Sequence, residues 1–202
     1  DIVHDGPTLV DVEHEGSDNF SVYLADPETA DDTEPTPANG SPGEMNDSTA
    51  DTNDSDEPST NESVVSSVVT AVGPYDGRSL LSVAAGSYVL RVAEADAKWS
   101  ATVYDLPVYE DGVGTPLPIK REGTLYDVIG PINFGEQAET EFSFSVSGEG
   151  LHRVFVTNRE GSESWTVFSL NGENEKSISH AVSGVGYIEI LSFSSWTFEL
   201  SS

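Results

Sequence analysis

Along residues 9–24, LVDVEHEGSDNFSVYL, apolar and polar positions alternate. Val10 and Val12 are separated by acids. Phe20, Val22 and Leu24 are separated by Ser21 and Tyr23. A period of two marks a half-buried strand, so this stretch predicts two strands around a turn at 15–19. The pattern resumes at 63–72, 77–83, 87–95 and 98–106. It returns at 131–136, 140–148, 151–158, 164–170, 175–182, 186–193 and 195–202. Phe142, Phe144 and Val146 alternate with Ser143 and Ser145, and Trp196, Phe198 and Leu200 with Thr197 and Glu199. Strands with one apolar and one polar face belong to antiparallel sheets wetted on one side. No amphipathic helix longer than two turns can be read. The expected fold is all-β, two tandem antiparallel β-sandwich units at 1–105 and 123–202.

Two stretches break the pattern. From 26 to 63 nearly every residue is Asp, Glu, Ser, Thr, Asn, Pro, Gly or Ala, with no period of 2 or 3.6. Such a composition buries too little apolar surface to offset the entropy of ordering, so a long disordered insert in the first unit is expected. Residues 106–122 contain Pro107, Pro116 and Pro118 and read as a linker.

The two patterned regions repeat each other. Residues 15–24, EGSDNFSVYL, match 160–170, EGSESWTVFSL. Residues 86–105 match 186–200: Gly and Tyr open an alternating strand, a short turn follows, and Trp99 or Trp196 opens the last strand. Gly before Tyr allows a tight entry into the strand. Each Tyr and Trp has the area to anchor a small sandwich core, which is where they are assigned. An aromatic platform that stacks on sugars would need them exposed on one face.

The ending built on Gly86, Tyr88, Leu90, Val92, Trp99 and Val103 resembles small β-sandwich modules of prokaryotic secreted proteins and lipoproteins. Residues 68–105 are similar to tandem modules of haloarchaeal cell-surface proteins, and 126–136, YDVIGPINFGE, resembles the opening strand of a following module. The resemblance implies an extracytoplasmic β-sandwich and carries over no catalytic residue. The second unit has strands at 131–136 and 140–148 before its next hairpin, where the first has only its opening eight residues. The first unit is therefore expected to expose an unpaired edge, open to an upstream segment or to strand addition from a neighbouring subunit.

Charge narrows the setting. There are 36 Asp and Glu against 8 Lys and Arg, a formal charge of −28, and no cation precedes Arg78. Self-repulsion of this size destabilises a compact state at low salt. At 1 M salt the Debye length falls to about 3 Å and most of that cost disappears. The balance suits a hypersaline medium and disfavours nucleic acid, whose phosphates require clustered Lys and Arg.

Candidate chemistry is sparse. Five of nine Asn residues, Asn19, Asn39, Asn46, Asn53 and Asn61, stand in N-x-Ser sequons and are candidate glycosylation sites. Residues 51–57, DTNDSDE, alternate oxygen donors but lack the central Gly and distal Glu of a calcium loop, so they read as an acidic loop. His4, His14, His152 and His180 have no metal-ligand spacing, and His14 between Glu13 and Glu15 reads as a solvated strand position. With no Cys, there is no disulfide or thiol nucleophile. No nucleophile elbow, zincin motif or phosphate loop is present, and no cofactor or metal is expected. No apolar run approaches the roughly 20 residues that cross a bilayer. A start at Asp1 fits a mature form or a fragment, with any anchor outside this chain. The sequence thus predicts a non-enzymatic extracellular or cell-surface protein, a virion surface included. Its partners would be proteins or cell-envelope components, self-assembly among them. The rival expectations are a filament or virion subunit joined by edge strands, and a carbohydrate-binding module.

Overall fold

The computed structural model describes residues 1–3, 5–27 and 64–202, and among them every regular element is a β-strand. The first unit contains β1 (Gly6–His14), β2 (Asn19–Ala25), β3 (Val64–Val72), β4 (Tyr75–Val83), β5 (Val89–Ala93) and β6 (Trp99–Asp105). They form two three-stranded antiparallel sheets in the orders β4-β1-β6 and β3-β2-β5. The alternating residues Val10 and Val12 of one sheet face Phe20, Val22 and Leu24 of the other, and with Val69, Ala71 and Leu81 they form the core. The acidic insert joins β2 to β3, and all but its first two residues lie outside the described residues.

The stretch 9–24 is not a hairpin. β1 pairs with β4 and β6, whereas β2 pairs with β3 and β5, so residues 15–18 carry the chain from one sheet to the other. Alternation fixes which face of a strand is buried. It does not fix which strand lies beside it.

The second unit contains β7 (Thr115–Pro116), β8 (Ile119–Gly123), β9 (Asp127–Ser147), β10 (Leu151–Asn158), β11 (Ser164–Asn171), β12 (Asn174–Leu191) and β13 (Ser195–Ser201). Six of these strands run in the order β11-β10-β12-β9-β13-β8, and β7 pairs parallel to β9. The Pro-rich stretch at 106–122 thus contributes strands to this unit. The two segments expected on either side of 137–139 are one long strand, as are those on either side of 183–185. Both strands bend where Gly135 pairs with Gly184, between shifts of register. Each of these glycines has φ of 78°, a conformation side chains resist. The bulged corner folds a single sheet over itself. Its interior holds Ile132, Phe134, Phe142, Phe144, Val154, Val156, Phe168, Ile188, Ile190 and Phe198.

Strand registers show that the units share one topology. β1 is flanked by β4 and β6 as the second half of β9 is flanked by the first half of β12 and by β13. β2 is flanked by β3 and β5 as β10 is flanked by β11 and the second half of β12. The six counterparts follow in the same chain order. Thr8 then corresponds to Thr140, both fully buried, and Trp99, opposite His14, corresponds to Trp196, opposite Val146. The match of 86–105 with 186–200 joins counterpart strands but slips by one residue before the turn, because the ladders align Leu90 with Ile188. The match of 15–24 with 160–170 is corrected: β2 is the counterpart of β10, not of β11.

Candidate functional site

Three places gather polar or exposed apolar side chains. The first is the end of unit one where the chain crosses between sheets. His14 is buried, which corrects its reading as a solvated position; it continues the inward row of Val10 and Val12. Its ring stacks on Phe20 with centroids 4.2 Å apart. Nδ1 lies 3.2 Å from the Gly73 carbonyl oxygen, and Nε2 lies 3.1 Å from Asp96 Oδ1. The other Asp96 oxygen accepts from the Ser17 and Asp18 amides at 3.1 and 3.3 Å. The Ser17 amide leads in holding this carboxyl below the usual aspartate range, helped by the Asp18 amide and His14 and opposed by desolvation. A Cβ on Gly16 would fall 1.8 Å from Asp96 Oδ1. The cluster ties the crossing at 15–18 to the β3–β4 and β5–β6 connections. Its imidazole is spent on packing, on the Gly73 carbonyl and on a close approach to Asp96.

The second place is the junction of the units. Arg78 forms an ion pair with Asp127, its Nε donating at 2.8 Å, and its amide donates to the Tyr126 carbonyl at 3.1 Å. Tyr126 packs edge-on against Tyr75 and, tilted by 45°, against Phe193. Leu125 and Tyr126 belong in sequence to the second unit yet pack on the core of the first. The Leu80 amide donates to Glu189, whose carboxyl burial pushes up. Burial likewise raises the Tyr75 and Tyr126 phenols. A cleft of about 290 Å³ opens here, lined by Asp11, Asp76, Arg78, Tyr126 and Trp196 among others. The junction was legible only as an oddity, Arg78 being the first cation in the chain.

The third place is the edge of β6. Directly paired residues share a face, so Trp99, Ala101 and Val103 point inward with His14, Val12 and Val10. Trp99 is nevertheless 43% exposed and Val103 42%, while their counterparts Trp196 and Leu200 are 3% and 1% exposed. Unit two has two strand segments that unit one lacks among the described residues. β8 pairs with β13 from Gly123–Trp196 to Ile119–Leu200, whereas β6 has β1 as its only strand neighbour, and the first half of β9 pairs with the second half of β12, whereas β5 has only β2. Trp196 also donates its indole N–H to the Leu125 carbonyl at 2.9 Å.

The assignment of all Tyr and Trp residues to the core therefore needs correction at Trp99 and Tyr104. These two do not form a sugar platform either. Tyr104 pairs with Leu9 and points to the opposite face from Trp99. Of the predicted glycosylation sites, Asn19 is exposed at the start of β2, its backbone paired with Val72. Asn39, Asn46, Asn53 and Asn61 lie outside the described residues, as do the 51–57 loop and His4. His152 is buried against Ser192 Oγ at 2.9 Å, and exposed His180 lies near Trp165, so His14, His152 and His180 are not brought together. Among the described residues, no group of three or more His, Asp and Glu side chains is placed to hold a metal ion, and no helix is long and apolar enough to cross a membrane. No protein-family model matches the chain, and no curated protein matches it.

Proposed function

We propose that this chain is a non-enzymatic β-sandwich building block, structural or adhesive, displayed on the surface of a salt-loving cell or its virus. The observation that carries the reading is the repeated six-strand unit: two copies joined through Arg78, Leu125, Tyr126 and Asp127. The most elaborate polar cluster, around His14 and Asp96, is consumed in holding strands together. The charge of −28 supports the brine setting. The sequons support surface display, with glycans at Asn19, Asn39, Asn46, Asn53 and Asn61.

Thermal unfolding from 0.1 to 3 M KCl tests the setting. The Debye length shrinks from about 10 Å to below about 3 Å over that range, and the midpoint is expected to climb steeply with it. A flat profile refutes the halophilic reading, and an intact mass of native protein without glycan refutes the glycosylated one. A second reading, a filament or virion subunit joined by strand pairing, is favoured by one observation, the inward-facing row of Trp99 and Val103 on β6 that no strand covers among the described residues.

A further inference from the structure

Resting on the structural reading above, we propose that the edge of β6 at Trp99–Val103, which has no strand beside it among the described residues, is an acceptor site for an extended, basic β-strand of the Ile-Lys-Arg-Glu-Gly type supplied by a partner. The second unit supplies the pattern. There the counterpart edge is filled by β8, with Ile119 opposite Leu200, Arg121 opposite Phe198 and Gly123 opposite Trp196. Translated through the registers, an incoming strand would set its Ile opposite Val103, its Arg opposite Ala101 and its Gly opposite Trp99.

Each feature of that strand has a physical reason. Ile119 is buried in the core of unit two, and a similar side chain would close the interior beside Val103. Glycine is required over the indole, because a Cβ on Gly123 would stand 2.4 Å from the Trp196 ring. The bias toward cations follows from charge. Lys120 on the wet face of β8 pairs with Glu199 at 2.6 Å. The wet face beside the β6 edge carries Asp11 and Glu13, across from Thr102 and Ser100, next to the rest of a strongly acidic unit. Backbone pairing would supply the affinity, and the Ile and Gly positions the selectivity, as in strand-addition complexes generally.

The test uses the intact protein in molar salt and a synthetic peptide of residues 117–125, LPIKREGTL, with hydrogen exchange read by mass spectrometry. The expected result is saturable slowing of amide exchange in 99–105 while 195–201 stays unchanged. The same peptide carrying Gly123→Val should bind at least about tenfold more weakly. Unchanged exchange in 99–105 up to millimolar peptide overturns the proposal. So does protection confined to 195–201, which would mean exchange with β8. Concentration-dependent protection of 99–105 without peptide also overturns it, by assigning the edge to a second copy of the chain. None of these outcomes touches the salt profile, so the site and the structural reading fail separately.

Discussion

Trp99 and Trp196 occupy the same position in two copies of one fold, and replacing each by alanine should cost very different amounts. A tryptophan brings roughly 200 Å² of side-chain surface, worth about 5 kcal/mol at 25 cal/mol per Å² when fully buried. Trp196 is nearly fully buried and its N–H is bonded to the Leu125 carbonyl. Its removal also leaves a cavity and strands that carbonyl, worth about 1 kcal/mol more, so Trp196→Ala should cost about 4–6 kcal/mol. Trp99 has already left over two-fifths of its surface in water, and its removal opens no closed cavity. Trp99→Ala should cost about 2–3 kcal/mol. A chain of two units need not unfold in one step, so a single melting midpoint is the wrong readout. Native-state hydrogen exchange in molar salt reports on 6–105 and 127–201 separately. Equal losses of protection in the two variants, or a larger loss for Trp99→Ala, would refute the claim that the strand segments beside β13 and β12, missing from the described residues of unit one, separate the environments of the two indoles.

Two further outcomes follow from the polar clusters. Glu189 carries a carboxyl raised above its usual value of 4.5 by burial, so the folded state binds its proton more tightly than the unfolded chain and the charge is a burden at neutral pH. Glu189→Gln keeps an acceptor for the Leu80 amide and should stabilise the protein at pH 7. That advantage should shrink as pH falls through the raised pKa; paired denaturant titrations at pH 7 and pH 5 measure it, and a constant difference refutes the assignment. Gly16→Ala should destabilise unit one by about 2–3 kcal/mol by forcing Asp96 away from His14 and the Ser17 amide. Faster exchange of the Ser17 and Asp18 amides checks it, and unchanged exchange there refutes it.

The all-β class and most strands were legible because alternation is local. Val10, Val12, Phe142, Phe144, Trp196 and Phe198 declare an inward face within a few residues of sequence. What alternation leaves out is the neighbour. It could not show that β1 and β2 lie in different sheets, which is also why His14 read as solvated: its burial depends on Phe20 and Asp96 arriving from elsewhere. Nor could it show that β9 and β12 run unbroken through a corner, because Gly135 and Gly184 look like turn residues until they are found opposite each other. The repeated strand order was visible through the Trp residues. Its register was not, since a slip of one residue, as at Tyr88, preserves the look of a strand and reverses its faces. An unpaired edge in unit one was expected because 131–136 and 140–148 had no counterpart there. The structure corrects the reason: β1 is the counterpart of the second half of β9, and the edge of β6 is open, among the described residues, where Ile119–Gly123, read as part of a linker, fills the second unit.

Residues 119–127 explain why the two copies differ. The first part of this stretch is β8, which covers Trp196 within unit two. The next residues, Leu125 to Asp127, pack on unit one and pair with Arg78. One short segment thus closes the edge of its own sandwich and joins that sandwich to its neighbour through β4. Unit one receives the joining half of this arrangement and not the closing half. An arrangement in which each module closes itself and grips another through a different surface is head-to-tail, and such contacts extend into chains when no symmetry axis closes them. Filling of the β6 edge by a strand of the β8 type would give unit one the neighbour that β13 already has in unit two. The exposure of Trp99 is therefore the quantity to follow: it should fall toward that of Trp196 only when a strand with glycine over the indole is bound.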